Sequence, residues 1–504
     1  MKIVLLCSAL LAGALLTYAQ DRLRLPQQRA LTNRLSELQP EELKPSLQLN
    51  DVIESVNAHF PPLRAALLER PLAEADLLTA TGRFDLRLRS VLDAQTFGFY
   101  RNERFALSLD QPTTLWGATG YTSYTQTVGS FPGYDGKLQT NSGGQYIVGA
   151  RIPLARDREI DPRRAELAKQ QIGVRLADLS IDQQRIAIVQ AATRRYWDWV
   201  GAGRRLRIAQ ALLEVAQARD SIIREAVNIG GLPEFESLDN QRLVLQRQTN
   251  VVEAQRAIEN AAIELSLFLR DANGQPVVPD NAQLPLGFPE PDSLSDTQLR
   301  EDMEAAMQRR PEIMRLVFQR NQIRIDQKLF KNQTLPNVDF FSEYTRELGS
   351  GPVLRGPNDV RAGIIFDLPF QRREAKGRLQ AAAARLGQIE QRQIFQDDQV
   401  TAEIRDAASA VRAAYQRAAV LHDELRVTRE VENAERLRYE LGDSTLFVLN
   451  LREQSTAEAA VREANALADY YRAYAAYELA IARGLLPVTP PNPNEVMPKF
   501  PIIP

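Results

Sequence analysis

The chain states one order of elements twice, and this repetition constrains its fold more than any other feature. Around Gly149-Ala-Arg-Ile-Pro-Leu154 a short alternating strand ends at a proline. A helix-compatible run of about seventy residues follows, breaks at Asn228-Ile-Gly-Gly-Leu-Pro233, and returns as a second helical run. Around Gly363-Ile-Ile-Phe-Asp-Leu-Pro-Phe370 the order recurs, with a break at Leu441-Gly-Asp-Ser444 and a return ending near Gly484. Pro153 and Gly230 are 77 residues apart, Pro369 and Gly442 are 73. Four extra residues within Arg156–Asp161 account for the difference and leave Leu167/Leu379 and Gly230/Gly442 at one common offset. Duplicated units that cannot bury their apolar faces alone imply an assembly.

Residues 1–19 have the form of a secretory signal: Lys2, an apolar stretch from Ile3 to Leu16, and a small-residue cleavage site at Thr17-Tyr-Ala19. Cys7, the single cysteine, leaves with it, so the mature chain has no disulfide framework and no thiol chemistry. Losing Lys2 moves the formal net charge from −2 to −3, a near-neutral balance that gives no reason to expect nucleic acid. No run of eighteen apolar residues follows the signal, which excludes transmembrane helices. An exported chain of this kind can still enter a membrane as a barrel.

Four segments alternate as half-buried strands do. Phe84, Leu86 and Leu88 oppose Asp85, Arg87 and Arg89; Tyr146, Val148, Ala150, Ile152 and Leu154 oppose Gln145, Gly149 and Arg151. In the second half Val338, Phe340 and Tyr344 oppose Asp339, Glu343 and Thr345, and Ala362, Ile364, Phe366, Leu368 and Phe370 oppose Arg361, Gly363 and Asp367. A soluble sheet explains this pattern, and so does a tilted membrane strand of about nine to eleven residues. Trp116, Tyr121, Tyr124, Phe131 and Tyr134 cluster where an aromatic girdle would lie. Four strands cannot close a membrane barrel, whose smallest bacterial examples have eight, and lipid forbids an open sheet edge. The membrane reading therefore forces several chains together; a trimer gives twelve strands.

The long runs carry coiled-coil spacing: Val400, Ile404, Ala407, Val411, Ala414, Ala418, Leu421 and Leu425 in the second copy, Ala165, Ala168, Ile172, Leu176 and Leu179 in the first. A soluble coiled-coil rod fits these seams equally well. Seventy helical residues reach about 105 Å, whereas the returns Pro233–Arg270 and Ser444–Arg483 reach only about 55–60 Å. Shorter helical segments at 49–80 and 298–333 are long enough to fill the remainder, stacked end to end with the returns. The expected class is α+β, mostly α, built from a duplicated helix–strand–strand–long helix–helix unit.

This order resembles the TolC-type outer-membrane efflux proteins. Leu49-Asn-Asp-Val-Ile-Glu-Ser-Val-Asn-Ala-His-Phe-Pro61 with Leu63-Arg-Ala-Ala66 looks like that family's opening helix, and Arg309-Arg-Pro-Glu-Ile313 with Thr334-Leu-Pro-Asn-Val338 like its second-half counterpart. Arg438-Tyr-Glu-Leu-Gly442 through Leu449 resembles its periplasmic hairpin tip, and Tyr470 to Gly484 its closing helix. The resemblance spans residues 49–486. It implies a homotrimer with a twelve-stranded β-barrel in outer-membrane lipid, continued by a twelve-helix periplasmic tunnel. It also implies a passive duct that docks a periplasmic adaptor (membrane fusion protein) and an inner-membrane pump of RND or ABC type. The docking surfaces would be the tips Gly230, Gly231, Leu232 and Gly442, Asp443, Ser444. A tunnel constriction would fall at Asp239 and Asn450. The stretch from Phe99 to Ser142 departs from the pattern: it is long for a surface loop and contains strand-like pieces such as Phe105–Leu109.

The expected organisation is a signal peptide (1–19), an extended segment (20–48), a first repeat (49–270), an inter-repeat linker (271–297), a second repeat (298–486) and a proline-rich tail (487–504). No catalytic, cofactor or metal site is expected. His59 and His422 stand far apart on helices, and carboxylates are interleaved with arginine, as between Arg426 and Arg436, in the manner of solvated helix faces. Gly230-Gly231 follows no strand and precedes no Gly-Lys-Ser/Thr, so it is a helix cap rather than a phosphate loop. The alternatives are an exported soluble coiled-coil scaffold or periplasmic adaptor and, more distantly, an exported hydrolase.

Overall fold

A computed structural model describes residues 46–132, 139–351 and 358–484. The signal peptide, most of the 20–48 segment, Tyr134 and the proline-rich tail lie outside the described residues.

Two helices dominate: α4 (Pro162–Asn228) with 67 residues and α8 (Arg373–Glu440) with 68, each about 100 Å long at 1.5 Å per residue. Asp161 starts α4, its carboxylate accepting from the backbone N–H groups of Arg163 at 2.8 Å and Arg164 at 3.2 Å while Pro162 occupies the first helical position. Each long helix reverses into a half-length partner, α5 (Glu234–Ser266) or α9 (Leu446–Ala480). The rest of α4 is covered by α1 (Leu49–His59), α2 (Pro61–Leu67) and α3 (Glu69–Thr81), and the rest of α8 by α6 (Asp296–Arg309) and α7 (Pro311–Asn332).

The end-to-end stacking is visible at its joints. Phe60 stacks on Phe268 with ring centroids 5.1 Å apart, and the Arg270 N–H donates to Ser55 Oγ at 2.7 Å, so the end of α5 abuts α1. Beside this joint Val52, Val56 and Leu63 share a core with Tyr196, Trp199 and Val200 of α4 and Ile258 and Leu265 of α5. In the second half Ile313, Met314 and Val317 pack with Val400, Ile404, Tyr477 and Ile481, and Leu179 of α4 joins that cluster and ties the halves together. Of the predicted seams, Val400, Ile404, Val411, Ala418 and Leu425 are buried, as are Ala165, Ala168 and Leu179.

The segment between the repeats crosses the middle of the long helices. Arg207 donates to the carbonyls of Leu284, Pro285 and Leu286, Tyr470 bonds the Asp292 backbone, and Leu284 fills the space above Gly203. A Cβ on Gly203 would lie 2.4 Å from Leu284 Cδ2.

The strands form one antiparallel sheet in sequence order: β1 (Arg87–Gln95), β2 (Asn102–Pro112), β3 (Thr119–Gly129), β4 (Gln145–Pro153), β5 (Asn337–Glu347) and β6 (Asn358–Asp367). This corrects the expectation of four strands. Within the Phe99–Ser142 stretch lies a hairpin, β2–β3, paired to β1 along β2 and to β4 over Thr119–Thr125 of β3. Its alternation was masked because polar threonine, serine and tyrosine occupy both faces of β3. Phe84 is also corrected: it sits in a 3-10 turn before β1 and packs on Ala80 and Leu167.

Candidate functional site

Register across the six strands sorts the sheet into two faces. One carries Leu88 and Leu92, Phe105, Leu107 and Leu109, Tyr146 and Val148, Phe340 and Tyr344, and Val360, Ile364 and Phe366. Leu92, Val360 and Ile364 are 75%, 77% and 66% exposed. The opposite face carries Arg87, Arg89, Asp93, Arg104, Asp110, Arg151, Glu343, Arg361 and Asp367. A sheet with an exposed apolar face and a charged face of this size is built to separate an apolar medium from water. Among the described residues no helix is long and apolar enough to cross a membrane.

On the charged face Tyr121 lies across β4 and donates to Glu343 of β5 at 2.6 Å. It can do so because Gly149 stands between them: a Cβ there would be 2.5 Å from the Tyr121 ring. Phe341 covers Gly363 in the same way, with the Arg361 guanidinium 5.3 Å from its ring centroid. The expected aromatic girdle is dispersed: Tyr121 and Tyr124 face opposite ways, and Trp116 occupies the β2–β3 turn.

At the far end of the helices the two reversals share one geometry. Gly230 donates to Val227 O at 2.9 Å and Gly231 to Ala226 O at 2.8 Å; Gly442 donates to Tyr439 O at 3.0 Å and Asp443 to Arg438 O at 2.9 Å. This is the paired cap that satisfies the last carbonyls of a helix, with glycine in the left-handed region, at φ +75° for Gly230 and +80° for Gly442. Ser444 Oγ bonds Glu435, and Thr445 caps α9. Ile229, Leu232, Phe235, Leu441 and Phe447 stand exposed around the two tips.

Asp239 and Asn450 are not brought together by any hydrogen bond or ion pair among the described residues. Asp239 pairs with Arg242 on its own helix at 3.0 Å, while the Asn450 side chain accepts from Arg219 of α4. Asn450 belongs to a buried charge cluster that sequence reasoning missed. Glu453 of α9 binds Arg219 of α4 and Arg247 of α5, and Arg436 of α8 approaches to 3.9 Å. The signal was there: Glu453 lies four residues after Leu449, on the buried seam of α9. The Arg426–Arg436 stretch does form helix-face pairs, Arg426 with Glu430 and Arg436 with Glu432. His422 is exposed and bonds Glu463 at 2.7 Å, and His59 is half-buried at the end of α1.

No protein-family model matches the sequence, and no curated protein matches it. Solved structures do. The outer membrane protein VceC of Vibrio cholerae is 16% identical with a TM-score of 0.60, over 86% of this chain and 96% of that one. The open state of the MtrE outer membrane channel of Neisseria gonorrhoeae is 16% identical with a TM-score of 0.60, over 87% and 89%. The CmeC outer membrane channel of Campylobacter jejuni is 15% identical with a TM-score of 0.57, over 87% and 86%. The chain therefore has the fold of these outer-membrane channels, the TolC-type fold that its sequence resembles.

Proposed function

We propose that the chain is a passive outer-membrane exit duct, assembled as a homotrimer. It serves a tripartite efflux or type I secretion system that exports small molecules or polypeptides. The observation that carries this reading is the single register that gathers apolar side chains of β1, β2, β4, β5 and β6 on one face of the sheet and charged ones on the other, next to helices about 100 Å long. Lipid would cover that face, water would fill the charged side, and the helices would line the periplasmic passage. The apolar side chains ringing the tips suit docking of a periplasmic adaptor held by an RND or ABC-type inner-membrane pump, with Gly230, Gly231, Leu232, Gly442, Asp443 and Ser444 at the contact. Asp239 and Asn450 are the candidate constriction residues, Asn450 acting with Arg219.

Protein extracted in detergent and reconstituted in a planar bilayer should conduct ions and run as a trimer on an unheated gel. A monodisperse monomer without conductance, recovered without detergent, would instead identify an exported soluble scaffold.

A further inference from the structure

The two copies of the repeat differ by one hairpin: the first carries four strands, the second two. The β2–β3 hairpin is seated at its base as well as along its edges. Its turn, Thr113–Ala118, rests on the segment between β4 and α4. Gly117 has φ +71°, and a Cβ there would lie 2.6 Å from the Asp157 carbonyl oxygen. The Arg158 guanidinium stands 5.8 Å from the Trp116 ring centroid, and Arg164 donates to the carbonyls of Asp157 and Arg158. That segment is also longer than its counterpart: eight residues separate β4 from α4, but five separate β6 from α8. The extra residues form the ledge on which the extra hairpin sits.

We propose that β2–β3 is a built-in widening of the membrane barrel, so that three copies close eighteen strands, with β6 of each copy paired to β1 of the next. The count of three rests on the homotrimer reading above; the seam does not. Six strands are too few to close a membrane barrel within one chain, and among the described residues β1 and β6 each pair on one side only. An even number of strands per chain makes every seam antiparallel, whatever the number of copies.

The register of the seam follows from charge and facing. Setting Arg87 opposite Asp367 places Asp93 opposite Arg361, so both charged pairs on the water side have opposite sign. The same register places Leu88 beside Phe366, Ser90 beside Ile364, Leu92 beside Ala362 and Ala94 beside Val360 on the lipid side. Sliding by two residues one way sets Asp93 against Asp359; the other way leaves only Arg89 against Asp367. A one-residue slip would turn the apolar face of β1 into the pore. Barrel diameter grows roughly linearly with strand number, so eighteen strands give about 1.5 times the width of twelve, and barrels of that size hold an aqueous channel. The narrow part of such a duct lies in its helices.

The test uses the full-length chain purified from membranes in a Cys7→Ser background, so that introduced cysteines stand alone. Ser90→Cys with Ile364→Cys should give covalent dimers and trimers, and nothing larger, under a short thiol crosslinker. The offset pair Ser90→Cys with Val360→Cys should give far less. Arg87→Glu should weaken the unheated trimer, and adding Asp367→Arg should restore it. A water-soluble maleimide should label Ser108→Cys and Thr125→Cys but not Leu107→Cys or Tyr124→Cys. Monomers only, or equal crosslinking by the offset pair, overturns the seam. A ladder ending at two or four overturns the count of eighteen, and equal labelling of both hairpin faces removes β2–β3 from the barrel. A crosslinked trimer that fails to conduct leaves the barrel standing and overturns the duct.

Discussion

Glu453 on α9 accepts from Arg247 on α5 at 3.3 Å, each side chain no more than 2% exposed, and this contact fastens one helical hairpin to the other. Arg219 from α4 completes the pair, so one carboxylate faces two guanidinium groups from the first repeat. Burial pulls the Arg247 guanidinium below its ordinary value, and the negative charge of Glu453 opposes that shift. Removing a single partner of such a cluster strands the others without compensation.

Glu453→Ala is accordingly expected to destabilise the chain by about 3–5 kcal/mol, read as a lower urea midpoint. Replacing Glu453, Arg247 and Arg219 together by leucine or methionine should recover most of the loss, because no charge is left buried. Equal loss in the single and triple variants would show that packing, not charge, matters there.

At the tips, the cost of substitution is one of backbone conformation. A Cβ on Gly442 or Gly230 meets nothing within 4 Å, yet both residues have positive φ. Gly442→Val should therefore cost about 1–2 kcal/mol, Gly442→Asn less, and pump-dependent export should fall in the same order. Unchanged export and stability in the valine variant would contradict the assignment.

Gly149 gives the opposite case, where space decides. Gly149→Ala must displace the Tyr121 ring and break its bond to Glu343, lowering the temperature at which the folded form is lost on a gel. In a Tyr121→Ala background the same change should be nearly neutral. Additive effects in this double-mutant cycle would refute the interlock.

The helical half of the fold was legible because its seams repeat at one spacing over many turns; Val400, Ile404, Val411 and Leu425 are buried as that spacing requires. The tips were legible too, since glycine at a helix end has few other uses. The β2–β3 hairpin was only half legible. Phe105, Leu107 and Leu109 alternate, but their partner β3 is mostly threonine, serine and tyrosine, whose facing is fixed by register with β2 and β4. Glu453 was hidden for a different reason: an arginine-rich chain makes helix-face ion pairs the obvious account of every carboxylate. Only the packing of α4, α5 and α9 shows that Glu453 is buried.

Alkaline pH should loosen the upper helical core before it affects the tips. Tyr196 donates its O–H to the Leu47 carbonyl at 3.0 Å, and burial, with Asp51 nearby, pushes its phenol from an ordinary 10 up to about 12. Burial also drives Tyr470, Tyr471 and Tyr477 upward, with the Asp302 carboxylate adding to the shift of Tyr477. A raised folded-state value means that the native chain holds protons which the unfolded chain has released. The stabilisation is therefore complete below about pH 10 and is lost as pH rises towards 12. The urea midpoint should hold steady to about pH 9.5 and then fall, and Tyr196→Phe should flatten part of that fall at a cost of about 1 kcal/mol at neutral pH for the lost hydrogen bond. A midpoint that stays level through pH 12, or a Tyr196→Phe profile that superimposes on the parent, would show that these phenols do not govern the core.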